Sequence, residues 1–136
     1  MKTIYLILTA GFLITSCSKE NDGPSATLET LPVSQVEMPT QFAKDSITEI
    51  PLSYIRPTVC HSFYDFYYLR EGSTRTVAVI LLKENRGSSC PVSQTTYTIP
   101  LKFKPIALGT YHFKFWTGAN SQGVDQYSEY DAVVNH

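Results

Sequence analysis

Charge of either sign is scarce in this 136-residue chain, which carries 11 Lys and Arg against 12 Asp and Glu for a formal net charge of −1. No basic stripe runs through it, so nothing supplies the electrostatic footprint of a nucleic-acid binder, and none is expected as a partner. No amphipathic helical pattern follows the first seventeen residues, and no repeat with a period of about 20–50 residues is visible. Catalytic signatures are missing as well. There is no Gly-x-Ser-x-Gly element, no glycine loop to cradle a phosphate and no EF-hand spacing around Asn120, Asp125 and Glu129. Ser residues, His61, His112 and the Asp residues are scattered without the order of a hydroxyl–imidazole–carboxylate relay. Asp65 falls within an aromatic strand, where burial would suit an acid–base group, but no second carboxylate stands at a defined spacing from it. Cysteine is limited to Cys17, Cys60 and Cys90, and neither Cys-x-x-Cys nor His-x-His spacing accompanies them. His61 beside Cys60 is too little for a metal site. The chain is read as a non-enzyme with no catalytic residues, no metal and no cofactor.

The one long apolar run, Ile4 to Ile14, is short for a membrane span. Eleven helical residues cover roughly 16 Å, against a hydrocarbon core of about 30 Å. The run follows Met1-Lys2-Thr3 and ends in small residues before a thiol, the order of a cleavable export signal. Ile14-Thr15-Ser16-Cys17 resembles the lipobox of bacterial lipoproteins. That resemblance implies a signal peptide over 1–16 and a thioether-linked diacylglycerol on Cys17. Cys17 then becomes the new N-terminus and is acylated on its amine, with palmitate as the expected type of chain. Two or more chains, at about 0.8 kcal/mol per buried methylene, give a stable membrane anchor. The plainer alternative is a secretory signal cut near Ala10 or Ser16, with Cys17 a bystander. Ser18-Lys19-Glu20-Asn21-Asp22 is similar to the Lys/acidic export signal of Bacteroidota-type lipoproteins, although Asn21 interrupts the acidic pair and Ser18 displaces the lysine. The implied location is the outer membrane, on its surface or periplasmic side.

Removing 16 of 136 residues leaves 120, enough for one domain with a core. Residues 17–32 are polar around Gly23-Pro24-Ser25 and read as the lipidated Cys and a flexible tether, and 33–136 as the domain. In an exported protein the remaining pair, Cys60 and Cys90, reads as a disulfide. Its loop of about 31 residues corresponds to roughly 3.5 kcal/mol in the chain-entropy estimate. The 16 Tyr and Phe residues, with frequent Val, Ile and Thr, suit pleated strands.

Short β-like runs fill the domain. Val33 to Met38 and Ser46 to Ile55 are punctuated by Pro39, Pro51 and Pro57, which suit edge strands and strand switches. Thr58 to Arg70 and Thr74 to Lys83 form a hairpin through Glu71-Gly72-Ser73. Both of its faces carry large groups: Tyr64, Phe66 and Tyr68 on one, Phe63, Tyr67 and Leu69 on the other. Cover on both sides is the commoner solution, and a partner on one aromatic face is the other. Asn85 to Ser89 turn the chain toward Cys90. Tyr97, Ile99, Leu101 and Phe103 then share one face, and Tyr111, Phe113 and Phe115 point inward with His112, Lys114 and Trp116 outward. A last strand runs from about Gln126 to Val134.

Leu108-Gly109-Thr110-Tyr111 resembles the tyrosine corner of immunoglobulin-like and fibronectin-like sandwiches, whose phenol bonds back to the backbone. Gly109 to Gly118, with Gly123 and Tyr127 downstream, looks like the C-terminal hairpin of small Bacteroidota-type lipoproteins with immunoglobulin-like domains. The fold class is therefore all-β, an immunoglobulin-like antiparallel two-sheet sandwich of about seven strands. The immunoglobulin Cys-Trp-Cys order is absent, since Trp116 follows both cysteines. Cys60–Cys90 is expected to tie an early strand to the loop before the Thr95–Phe103 strand instead. Functionally the domain reads as a non-catalytic interaction or accessory module docking an envelope protein. The alternative is binding of a glycan or other small ligand on Trp116, Tyr127 and Tyr130 beside His112 and Asp125. A protease inhibitor is the weakest option, because no inhibitory loop is recognisable.

Overall fold

The computed structural model describes residues 25–86 and 89–136. The expected signal peptide, Cys17 and the rest of the first half of the expected tether lie outside the described residues, as do Gly87 and Ser88 of the expected turn. Among the described residues eight strands are present: β1 Ala26–Leu31, β2 Gln35–Val36, β3 Thr48–Thr58, β4 His61–Glu71, β5 Thr74–Glu84, β6 Val92–Phe103, β7 Gly109–Ala119 and β8 Asp125–Val134. They form two sheets. The larger contains β4, β5, β1, β7 and β8, and the smaller runs β2-β3-β6.

The strand β5 organises the larger sheet. One of its edges pairs along its length with β4. Its other edge is shared, antiparallel with β1 over Val79 to Glu84 and parallel with β7 over Thr74 to Val77. The larger sheet is therefore mixed, which corrects the expectation that every strand runs antiparallel. The smaller sheet is antiparallel throughout. A second difference lies at the front. Six residues of the segment read as tether form β1, whose burial is slight apart from Leu31 and half-exposed Glu29. An edge strand with so little apolar alternation carries no period-two signal to read.

Alternation builds the core between the sheets. Ile50, Leu52, Leu101 and Phe103 of the smaller sheet meet Val77, Val79, Leu81, Phe113 and Phe115 of the larger, and nearly all are fully buried. Phe103 sits edge-on to both Tyr111 and Phe113, at 5.1 and 4.9 Å between ring centroids. Such geometry sets the positive ring edge against the negative face. The inward set read from sequence on β7 is the one observed, whereas on β6 Leu101 and Phe103 are buried, Ile99 is half-buried and Tyr97 is exposed.

Prolines fall where the ladders tolerate them. Pro51 lies on central β3 opposite Pro100 of β6. Its carbonyl accepts Glu37 N–H (3.0 Å), so the nitrogen also faces the β2 side, just where β2 ends. Pro100 correspondingly turns its nitrogen to the open edge of β6. Pro57 coincides with the register shift between Arg56 and Thr58. Neither edge nor shift loses a ladder hydrogen bond to the missing N–H.

The hairpin β4–β5 closes through Gly72-Ser73, with Gly72 at φ +58° as the first residue of a type II′ turn requires. Its faces differ from the alternating reading. A β-bulge between Phe63 and Asp65 moves Phe63 onto the same side as Phe66 and Tyr68, and the Phe63 and Phe66 rings meet edge-on at 5.1 Å. Tyr64 is left at the bulge, 57% exposed. Asp65 is exposed rather than buried, its Oδ1 accepting Phe66 N–H (2.7 Å). The commoner expectation, a hairpin covered on both sides, also fails. Among the described residues the smaller sheet covers only one face.

Disulfide Cys60–Cys90 is present, with an S–S distance of 2.02 Å. Cys60 lies in the two-residue turn that carries the chain from β3 to β4, and Cys90 ends the connection from β5 to β6. Both connections pass between sheets, so the bond joins two crossovers at one end of the sandwich. The expected bond to the loop before β6 is present, but Cys60 sits in the turn between β3 and β4 rather than within a strand.

Candidate functional site

The uncovered face of the larger sheet is not flat. Its central strand β5 presents small Thr76 and Ala78, while Tyr67 and Leu69 of β4 stand on one side and Lys114 and Trp116 of β7 on the other. Small residues flanked by large ones leave a trough of about 460 Å³. Its far wall is completed by Tyr127, directly opposite Trp116 on β8. Tyr67 and Leu69 are 44% and 39% exposed, and Leu28 of β1 continues the apolar surface.

Polar contacts fix the aromatic wall. Trp116 Nε1 donates to Asp125 Oδ1 (2.9 Å). Lys114 Nζ lies 4.6 Å from the Tyr127 ring centroid, within cation–π range. The Trp116 ring is therefore held at the trough rather than free to rotate. His112, on the same outward face, pairs with Asp131 (2.6 Å).

Of the three residues read as a ligand platform, the structure brings Trp116 and Tyr127 together and separates Tyr130. Tyr130 points to the opposite face, its ring edge-on to Phe115 at 5.9 Å and packed on the core. One residue along β8 reverses the side, and Tyr127 and Tyr130 are three apart. Asp125 joins the site through its bond to Trp116. The oxygen of Asn120, grouped earlier with Asp125 and Glu129, is engaged by Gln122 and Val124 N–H groups (2.9 and 3.0 Å). Among the described residues no group of three or more His, Cys, Asp or Glu side chains gathers as metal ligands would.

One cluster was not legible in the sequence. His61 is 3% exposed, and its ring links Thr58 Oγ1 at Nδ1 (2.8 Å) to Glu29 Oε2 at Nε2 (2.9 Å). Thr58 Oγ1 also accepts Cys60 N–H (3.3 Å). With the hydroxyl donating to Nδ1 and Nε2–H donating to Glu29, every proton is used once. Lys83 closes the other Glu29 oxygen at 3.3 Å. The His61 hydrogen bond first, and Lys83 with it, holds the Glu29 carboxyl below its ordinary value against the opposing effect of partial burial. The connectivity is that of a hydroxyl–imidazole–carboxylate relay. Its hydroxyl already serves a backbone donor and its imidazole is sealed, so it ties β1 to the β3–β4 turn. Glu29 and His61 are 32 residues apart, which no local spacing rule detects.

No protein family, curated protein or solved structure matches this chain.

Proposed function

We propose that this chain is a lipid-anchored cell-envelope lipoprotein whose β-sandwich acts as a non-catalytic interaction or accessory module, presenting the uncovered face of its larger sheet to an envelope protein. The observation that carries the reading is that face: an apolar trough bounded by Tyr67, Leu69, Trp116 and Tyr127, with Leu28 beside it. Exposed apolar surface of this kind is where sandwiches meet partners. The anchor rests on Ile14-Thr15-Ser16-Cys17 behind an apolar run. The outer membrane is the proposed location, from the Lys/acidic segment after Cys17. The turn before β7 supports kinship with immunoglobulin-like sandwiches, since Tyr111 Oη accepts Ala107 N–H (3.1 Å) four residues upstream. The parallel β5–β7 pairing sets it apart from their usual strand plan.

A second reading is favoured by the Trp116–Tyr127 pair with Asp125 and Lys114 at its rim: a glycan stacks on the trough through the apolar face of a sugar ring. Three measurements separate these outcomes. Cys17→Ala should abolish acyl labelling and release the protein from the membrane fraction; persistent labelling removes the anchor. Crosslinking from position 69 in cells should yield a defined protein adduct that Tyr67→Ala with Leu28→Glu abolishes. Saturable binding to a glycan array that Trp116→Ala abolishes, with no such adduct, replaces docking by the sugar reading.

A further inference from the structure

A second cleft lies away from the trough, between the two sheets. The strands β4 and β6 each form one edge of their sheet, and on that side the sandwich is not closed. At the end bearing the Gly72-Ser73 turn and the β6–β7 connection, a cleft of about 410 Å³ opens between them. That volume falls among small-molecule sites, at about 300–1,000 Å³. Its apolar lining is ring-rich, with Phe66, Tyr68, Phe103 and Tyr111.

Around this lining stand Arg70, Arg75, Lys102 and Lys104, with Asp65 the one acidic residue among them. The concentration is unexpected in a chain of net charge −1. None of the four cations pairs with a carboxylate among the described residues, whereas three of the other five there, Lys44, Lys83 and Arg86, do. Arg75 is the deepest, 9% exposed. Its Nη1 donates to the carbonyls of Gly72 (2.7 Å) and Thr74 (2.8 Å), which fixes the guanidinium. Its Cζ lies over Tyr111, at 5.0 Å from the ring centroid. Arg70 lies over Tyr68 at 5.4 Å. A buried guanidinium with no carboxylate partner is costly unless something anionic meets it. Edge lysines alone have a duller explanation, since Lys on an open edge discourages pairing with another strand. That account covers Lys102 and Lys104 but leaves out Arg75, which is inside.

We propose that this cleft binds a small ring-bearing anion, its carboxylate or phosphate taken by Arg75 and Arg70 and its ring seated against Tyr68 and Tyr111. Planar guanidinium groups suit either anion through paired donors. Burial pushes the Tyr68 phenol up, against the pull of the Arg75 and Arg70 charges, so its hydroxyl stays a donor for the same anion.

The test is a titration followed by amide NMR shifts, on protein expressed as the whole chain and purified in its mature form in mild detergent. The probes are glucuronate, glucose 6-phosphate and benzoate, with neutral glucose and inorganic phosphate as controls. At least one ring anion should saturate shifts confined to residues 66–75 and 101–111, more tightly than either control. Arg70→Gln should weaken it about tenfold or more, the equivalent of one charge-assisted hydrogen bond. Lys44→Gln, a surface cation elsewhere, should leave it unchanged. Arg75→Gln should lose binding too, but its bonds to the hairpin carbonyls make Arg70→Gln the deciding variant. No saturation by any ring anion, equal binding of glucose or of inorganic phosphate, or wild-type affinity in Arg70→Gln overturns the proposal. Co-sedimentation with phosphatidylglycerol vesicles that depends on Arg70, without small-anion binding, assigns the charge to a membrane surface and overturns it as well.

Discussion

Removing the Cys60–Cys90 bond is the perturbation whose size follows most directly from the structure. The two residues are 30 apart in sequence, and the bond joins both crossovers at one end of the sandwich. Closing that loop restricts the unfolded chain by about 3.5 kcal/mol at 25 °C in the loop-entropy estimate. Total stability for a domain of this size is about 5–15 kcal/mol, so the loss is a large share. Cys60 is buried, which makes Ala the appropriate replacement at both positions. In urea, with a slope of about 1.5 kcal/mol per molar, the midpoint of Cys60→Ala with Cys90→Ala should fall by about 2 M at unchanged slope. The same loss should appear when the wild type is reduced. If the midpoint moves by less than about 0.5 M, or if unfolded, unreduced protein titrates two thiols, the bond does not constrain the fold as argued.

Tyr111→Phe removes the acceptor of Ala107 N–H and keeps the ring on Phe103; the expected loss is about 1–2 kcal/mol, read as a lower melting temperature with unchanged circular dichroism. Phe113→Ala opens a cavity where the side chain is fully buried, and should cost about 3–5 kcal/mol in the same urea assay. Glu29 has a folded-state carboxyl below its ordinary value, so its contribution is present above pH 4.5 and disappears as pH falls through the depressed folded value. Wild type should therefore exceed Glu29→Gln in melting temperature near neutral pH, and the gap should close on acidification; a pH-independent gap refutes the linkage.

Alternation made β6, β7 and their inward aromatics legible, because one buried face forces every second residue of a strand to be apolar. The disulfide was legible from the cysteine count and the expectation of export, and the Tyr111 bond from Leu108-Gly109-Thr110-Tyr111. What alternation cannot carry is a register shift. The bulge after Phe63 exchanges faces without leaving a mark in composition, so the aromatic sets of β4 were misassigned. The parallel β5–β7 pairing joins segments separated by two crossovers, and only tertiary packing selects it. Trp116 and Tyr127 are named from sequence together with Tyr130, and only the β7–β8 register separates the three. The trough neighbours Tyr67 and Leu69 came from a different hairpin, and the shape of the trough depends on Thr76 and Ala78 being small. The cationic cleft was hidden for a similar reason: Arg70 and Arg75 flank one turn, but Lys102 and Lys104 reach it only because β6 is the matching open edge.

The entry point of the chain fixes which end of the sandwich lies nearest an N-terminal anchor. Asn85 N–H donates to Ser25 O and Asn85 Nδ2 to Ser25 Oγ, both at 2.9 Å, so the first described residue, Ser25, lies beside the end of β5 that carries the disulfide. Arg75 lies at the opposite end of that strand, near Thr74. Ten residues of β-strand separate Thr74 from Glu84, about 33 Å at 3.3 Å each. The seven residues from Ser18 to Pro24 add at most about 25 Å of reach. A lipid on Cys17 would thus hold the Asn85 end near the leaflet and carry the cationic cleft outward, where soluble anions arrive and headgroups of the same leaflet do not. A fluorophore at Asn85 should be quenched by headgroup-bound acceptors in proteoliposomes, and one at Ser73 much less. Equal quenching at both positions would mean that the sandwich lies flat on the membrane, and the outward cleft would then lose its geometric basis.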